Sequence, residues 1–113
     1  MPFIDAKISV PVDADKKEKI KACFGNSITA LNKTETWLMV GIVDNYDLWL
    51  GGNKLDKGAY VEVSLFGDAG SSAYEELTGE ICSILSNELD IPSDKVYVSY
   101  HPVDNWGWNG RNL

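Results

Sequence analysis

The sequence predicts a small α+β domain in which two strand–helix–strand units share one four-stranded mixed sheet, with both helices on one face. Two observations predict this fold. The 113-residue chain alternates twice between segments with the period of a strand and segments with the period of a helix. Hydrophobic residues make up 44% of the chain and charged residues 24%, which is the composition of a globular protein. A chain of this length forms a single domain, spanning residues 1–113.

The first unit begins with Phe3–Val10, where apolar and polar residues alternate as in a strand. Asp13 or Asp15 is suited to cap the helix that follows, which we expect to end near Asn32. The apolar run Trp37–Val43 then predicts a strand covered on both faces. Helical spacing predicts that one face of the helix is buried, formed by Ile20, Phe24, Ile28 and Leu31.

The second unit repeats this plan after a loop in which Leu48–Leu50 is a candidate short edge strand. Tyr60–Phe66 reads as a strand, Ser72–Glu75 has the form of a capping box, and Ile91–Ser93 ends the helix. Lys95–Tyr100 is the fourth strand. The apolar face of the second helix comprises Tyr74, Leu77, Ile81, Ile84, Leu85 and Leu89.

The sheet face away from the helices needs a cover if it is apolar. We assign Leu38, Val40 and Val61 to that face, and we expect other subunits to cover it in a closed ring. The alternative is a monomeric ferredoxin-like sandwich whose open face is partly polar.

Charge excludes several classes of function. With 17 acidic and 10 basic residues the net charge is −7, whereas nucleic-acid-binding proteins need a basic surface. No apolar run approaches the roughly 18 residues of a membrane span. The two cysteines and the single histidine have no metal-ligand spacing. We therefore expect no nucleic acid, membrane, metal or cofactor. We expect cytoplasmic synthesis, and export by a route without a signal peptide stays open.

From end to end the chain resembles the macrophage migration inhibitory factor family of the tautomerase superfamily. The resemblance depends on motifs that follow the family's order at nearly its spacing. They are Met1-Pro2, Val10-Pro11, Lys33, Leu50-Gly51-Gly52, Pro92–Val98 and Gly107-Trp108-Asn109. The resemblance implies a homotrimer whose three sheets form a barrel, with an active site at each subunit interface.

The resemblance implies that Pro2 is a catalytic base, and the chemistry of an N-terminal proline agrees. Removal of Met1 would leave Pro2 as a secondary amine, and a free α-amino group titrates near 7.7–8.0, roughly at neutrality. Burial by Phe3 and Ile4 would lower that pKa further and favour the neutral base. If Met1 stays attached, the proline nitrogen is an amide and has no basic lone pair. Taken alone, Met1-Pro2 also fits a merely tolerated proline.

The family's substrates are α-keto acids such as phenylpyruvate, and the resemblance assigns roles toward them. Lys33 corresponds to the cation that holds the carboxylate, although alone it also fits a charge at a helix C-terminus. Phe66 corresponds to the residue whose backbone N–H donates to substrate, and Ser64 stands where a histidine is common. Tyr97 corresponds to a phenol donor contributed by a neighbouring subunit. The aryl pocket would be formed by Phe3, Trp37, Trp106 and Trp108.

Two other functions stay open. One is a trimeric signalling or interaction protein that keeps the pocket as a relic, because vertebrate members of the family act as cytokines. The other is catalysis on a different acid, such as a halogenated acrylate, although relatives of that kind use additional arginines and this chain has only Arg111. The family's CxxC is replaced by Asp56–Ala59, so thiol–disulfide activity is not expected.

Overall fold

A four-stranded mixed sheet organises the computed structural model, which describes residues 1–113. The chain forms eight strands and two helices. The four strands of the main sheet lie in the order β2-β1-β5-β6, and the others form two small hairpins. In chain order the elements are β1 (Pro2–Ile8), α1 (Ala14–Ser27), β2 (Met39–Val43), β3 (Trp49–Leu50), β4 (Asn53–Lys54), β5 (Ala59–Phe66), α2 (Ser71–Leu89), β6 (Val96–Val103), β7 (Gly107–Trp108) and β8 (Arg111–Asn112).

The strand pairing confirms the two predicted units. β1 and β2 are parallel across α1, and β5 and β6 are parallel across α2. The two units join through β1 and β5, which run antiparallel with Pro2 opposite Leu65. This junction places the start of the chain at the end of the sheet where β5 finishes.

Helix α1 begins at a side-chain cap and ends at a left-handed residue. Asp13, not Asp15, is the cap: its Oδ1 accepts a hydrogen bond from the Lys16 backbone N–H at 2.8 Å. A 3₁₀ turn over Ile28–Leu31 follows, and Asn32 adopts a φ of 58°. The predicted end near Asn32 is therefore confirmed.

Helix α2 begins differently from the prediction. It starts at Ser71 with Gly70 as the N-cap and with no side-chain capping bond, so the capping box is wrong. Asp68 instead accepts hydrogen bonds from the Ala69 and Gly70 N–H groups and from the Tyr74 hydroxyl. These bonds stabilise the turn that leads into the helix, so the first turn itself needs no side-chain cap.

The core lies between the helices and one face of the sheet. All four residues predicted for the α1 face are buried, and Leu77, Ile81 and Leu85 of α2 are fully buried against them. The other three residues predicted for α2 are partly buried at the edge of this core. The strands contribute Ile4, Ala6, Ile8, Ala59, Val61, Val63 and Leu65.

The three residues predicted for the sheet face away from the helices do not lie on that face. Val61 is fully buried under the helices, and Leu38 and Val40 pack against the same core. Val40 lies beside Ile4 in the parallel register, so both side chains point toward the helices. β2 is also shorter than predicted and is an edge strand, with Met39 and Val43 exposed.

The open face instead carries a charged network at its centre. Lys7 Nζ lies 2.9 Å from Asp5 Oδ2 and 3.0 Å from Glu62 Oε1. These two hydrogen bonds raise the pKa of Lys7 well above its usual value, so the ammonium stays charged. Ser99 Oγ lies 2.8 Å from His101 Nε2 on the same face. An open face of this polarity does not by itself require a cover, and it has the polarity expected for the monomeric alternative.

Two hairpins lie outside the main sheet. The predicted edge strand Leu48–Leu50 is reduced to β3, which pairs only with β4 through a Gly51-Gly52 turn. Both turn glycines have a positive φ, as a two-residue hairpin turn requires. The second hairpin, β7 with β8, holds the C-terminal tail. Neither helix of the fold is long and apolar enough to span a bilayer.

The cap at Asp13 provides a stability test. We expect Asp13→Ala to lower the free energy of unfolding by about 1 kcal/mol, because the Lys16 N–H loses its acceptor. Asp13→Asn keeps an acceptor at the same position and should lose much less. Urea unfolding of the three proteins checks this, and equal losses for both variants would contradict the assignment.

Candidate active site

An open cleft of about 520 Å³ lies beside the N-terminus, at the end of the sheet where β1 and β2 begin. Its walls are mostly apolar and aromatic. No carboxylate and no lysine or arginine lines it, so its one ionisable lining group is the α-amino group of the chain. The lining residues are Met1, Pro2, Phe3, Thr36, Trp37, Leu38, Met39, Trp106, Gly107 and Trp108.

The central position of β1 determines how this end of the chain is held. Because β1 lies between β2 and β5, Pro2 is buried even though it is the second residue. Phe3, next along the strand, lies between Met39 of β2 and Ser64 of β5. Gly41 of β2 lies against the Phe3 ring, where an added Cβ would make an ordinary van der Waals contact at 3.4 Å.

Met1 occupies a polar corner of the site. Its carbonyl oxygen accepts a hydrogen bond from the Phe66 backbone N–H at 3.2 Å. Lys33 Nζ approaches from the other side and donates to the Phe66 carbonyl oxygen at 3.4 Å. A backbone donor and an ammonium therefore flank the first residue of the chain.

The surroundings of the Met1 α-amino group lower its pKa. Burial lowers its pKa from the usual 8.0, because the ammonium loses solvation, and the positive charge of Lys33 lowers it further. Both causes act in the same direction. At the same pH, a larger fraction of this amine is therefore in the neutral form, which can accept a proton, than of an exposed α-amino group.

Two tryptophans from distant parts of the chain form the outer wall of the cleft. The rings of Trp37 and Trp108 meet edge to face with centroids 5.1 Å apart. Trp37 ends the 3₁₀ turn Glu35–Trp37 before β2, and Trp108 lies in β7. The tail is held close to the cleft by the Leu113 N–H, which donates to the Trp106 carbonyl oxygen at 3.0 Å.

The structure brings most of the predicted residues together. Pro2 and all four predicted aryl-pocket residues line the cleft. Lys33 and Phe66 meet behind it at Met1, and Ser64 lies on the open face of the sheet without lining the cleft.

Tyr97 lies elsewhere in the same chain. It pairs with Tyr60 near the start of β6, whereas the strand level of Pro2 corresponds to Pro102. This separation of five residue steps amounts to about 16 Å along the strand. Its side chain is 64% exposed. Within one chain Tyr97 therefore cannot serve the Pro2 cleft.

Five lining residues were not predicted: Met1, Thr36, Leu38, Met39 and Gly107. Each lies within two residues of a predicted site residue, so the signal was proximity in the chain. The position of Met39 at the cleft also depends on the parallel pairing of β1 with β2, which places Met39 beside Phe3. No group of histidine, cysteine or acidic residues in the structure is arranged to hold a metal ion.

Comparison with known proteins gives matches over the whole chain. The family model for macrophage migration inhibitory factor (MIF) matches residues 1–113. The macrophage migration inhibitory factor of Xenopus laevis is 29% identical over 86 residues, or 74% of each chain. The crystal structure of Leishmania major MIF2 is 30% identical, with a TM-score of 0.93 over 100% of this chain and 97% of its own. Pt0534 inactivated by 2-oxo-3-pentynoate is 14% identical, with a TM-score of 0.82 over 96% of this chain and 92% of its own, which shows a shared fold.

The influence of Lys33 on the terminal amine is measurable in protein that keeps Met1. Lys33→Gln should raise the pKa of the α-amino group toward 8.0, because one of the two causes that lower it is removed. NMR titration of labelled Met1 gives this pKa. Lys21→Gln, in the exposed part of α1, serves as the matched control and should leave it unchanged. An unaltered pKa in the Lys33 variant would show that the two groups do not interact.

Proposed function

Because this chain belongs to the macrophage migration inhibitory factor family, as its motifs predict, we propose that it is a keto–enol tautomerase of the phenylpyruvate tautomerase type. Pro2, freed by removal of Met1, is the general base. The substrates are aryl or related α-keto acids.

The observation that carries this proposal is the hydrogen bond from the Phe66 N–H to the Met1 carbonyl oxygen. Loss of Met1 removes that acceptor and creates an amine at Pro2 in the same step. The space left by Met1 is then bordered by three groups: the Phe66 backbone N–H, the Lys33 ammonium and the Pro2 amine. An α-keto acid presents the matching groups, a carboxylate and a carbonyl beside an acidic C–H.

The surroundings of the N-terminus favour the neutral form of the Pro2 amine, which is the form that acts as a base. Burial and Lys33 lower the pKa of the amine at Met1, and the Pro2 nitrogen lies one residue deeper, where the residue is buried. Both effects penalise the ammonium form, so we expect the pKa of the Pro2 amine to lie below the usual range and its neutral, proton-accepting form to be favoured.

Lys33 and Phe66 stabilise the negative charge of the substrate. The ammonium of Lys33 binds the carboxylate, and the Phe66 N–H donates to an oxygen that gains charge during the reaction. In ketonisation a proton leaves the enol hydroxyl and a proton arrives on the neighbouring carbon. The substrate keeps its formula, so the reaction requires no cofactor and no second substrate.

The apolar wall of the cleft matches the side group of an aryl α-keto acid. Trp37 and Trp108 meet edge to face, and Phe3 and Trp106 complete the lining. Aromatic side chains favour a flat ring as ligand. The inactivator named for the Pt0534 structure, 2-oxo-3-pentynoate, is itself an α-keto acid.

We further propose that the protein is a homotrimer in which Tyr97 serves the cleft of a neighbouring subunit. Its position and exposure favour this role, because Tyr97 cannot reach the cleft of its own chain. Exposed aromatic residues lie at both ends of the sheet, which suits a ring in which one end of each chain contacts the other end of the next.

A signalling trimer with a relic pocket is the second candidate function. The way Met1 fills the corner beside Phe66 and Lys33 favours this candidate. Met1 is only partly exposed and its carbonyl oxygen is hydrogen-bonded, so the corner is already filled when the residue is retained. A chain that keeps Met1 has no free proline amine. Intact mass of the protein from its native source discriminates the two candidates: retained Met1 would support the signalling trimer.

Pro2→Gly tests the base directly. We expect kcat/KM for ketonisation of phenylpyruvate to fall by about 10²-fold or more, because a positioned proton acceptor contributes about that much. Ultraviolet absorbance follows the reaction, and intact mass confirms removal of Met1 in both proteins. Pro11→Gly, at an exposed proline after β1, is the matched control and should retain the rate. Equal rates for the wild type and Pro2→Gly would refute the mechanism.

The pH dependence of kcat/KM tests the protonation state of the base. The neutral amine is the active form, so the rate should fall as acid protonates Pro2. The midpoint should lie below the usual range of roughly 7.7–8.0 for an α-amino group, because burial and Lys33 both lower the pKa. A rate that stays constant between about pH 5 and about pH 8 would exclude an amine base.

A further inference from the structure

A second apolar surface lies at the opposite end of the sheet from the Pro2 cleft. It is a small hollow of about 60 Å³ lined mainly by Leu48, Trp49, Leu50, Leu55, Tyr60 and Tyr97. Trp49 is 60% exposed and Tyr97 is 64% exposed, so both rings are largely open to solvent within one chain. Two exposed aromatic rings around a shared hollow are typical of a surface that contacts another protein.

The Pro2 cleft is the surface that matches it. Trp37, Met39 and Trp108 at the cleft are 49%, 68% and 46% exposed. Neither surface exposes a carboxylate, since the cleft has no charged side chain and the hollow has only Lys95. Contact between one surface and the other on a second copy covers part of each, and repetition of that contact closes a ring. A second copy of this chain is therefore the occupant to which the two surfaces point.

The backbone that carries Trp49 is held before any such contact forms. Its strand, β3, is closed by the Gly51-Gly52 turn, and the Leu55 N–H donates to the Leu48 carbonyl oxygen at 2.9 Å. Lys54 Nζ lies 5.7 Å from the centroid of the Trp49 ring. Because its backbone is already ordered, Trp49 loses only side-chain freedom on burial, which suits it to shape a binding site.

We propose that Trp49 of one subunit, together with Tyr97, completes the Pro2 cleft of the next subunit. There Trp49 forms the remaining wall of the aryl pocket and limits the size of the substrate's side group. This role rests on the proposed tautomerase and its trimer, and it makes Trp49 a specificity-determining residue.

Mixed trimers test whether Trp49 acts across the interface. We expect Trp49→Ala trimers to show a KM for phenylpyruvate raised about tenfold or more with kcat nearly unchanged, because a binding wall is lost and the base is kept. Co-expression with Pro2→Gly chains, followed by purification on two different tags, should restore the low KM. Each mixed trimer then holds a site that combines Pro2 of one chain with Trp49 of the other.

The controls separate packing from recognition. Trp49→Phe keeps an aromatic ring and should retain most of the affinity. Tyr46→Ala removes another exposed aromatic side chain of the same segment, one that does not line the hollow, and should leave KM unchanged. A normal KM in Trp49→Ala, or a raised KM that mixing does not restore, would overturn the proposal.

A cross-linking readout keeps the test independent of activity. Trp49→p-benzoylphenylalanine should link to a neighbouring chain at residues of the cleft, around Phe3, Met39 or Trp108, when irradiated. Links confined to one chain, or to other surfaces, would overturn the inference even if the enzyme is active. If the wild type has no tautomerase activity but the cross-link forms as expected, the proposed function fails and the placement of Trp49 stands.

Discussion

The antiparallel pairing of β1 with β5 is the constraint on which the rest of the site depends. With Pro2 opposite Leu65, the next position places Met1 against Phe66, and the Phe66 N–H reaches the Met1 carbonyl oxygen. A shift by one residue would turn the side chains of β1 to the other face and remove Ile4 from the core. Burial of the β1 side chains therefore fixes the register, and the register fixes the N-terminus beside Lys33.

The same constraint places an amine with a lowered pKa beside an apolar cleft in an otherwise acidic chain. Most of the 17 acidic residues lie on solvated surface, and none lines the cleft. The cleft contributes low polarity, the backbone contributes a donor, and Lys33 contributes positive charge. Burial and the positive charge of Lys33 favour an uncharged nitrogen at the start of the chain, whereas the Phe66 N–H bonds the Met1 carbonyl oxygen.

Much of the fold could be predicted because its signals are local. Alternation in β1 and β5, helical spacing around Phe24 and Ile81, and the cap at Asp13 each depend on neighbouring residues. The aryl-pocket residues were found through the family resemblance, since no local pattern joins Trp37 to Trp108 across the chain.

The errors in assigning the faces of the sheet have a common physical cause. Alternation divides a strand into two faces, but it does not state which face meets the helices. Val61 was assigned to the open face, although Val61, Val63 and Leu65 are the more apolar set and therefore lie in the core. The open face then receives Glu62 and its partner Lys7, a long-range pair that neither strand reveals alone.

The central claim is that Met1 fills the place of the substrate and blocks the base, so its removal creates the active site. The direct measurement is the phenylpyruvate ketonisation rate of one preparation that retains Met1, before and after treatment with methionine aminopeptidase, with intact mass recorded for each sample. We expect a rate at background before treatment and full turnover after it, in proportion to the fraction trimmed. Equal turnover by the untrimmed chain would show that Met1 does not block the base.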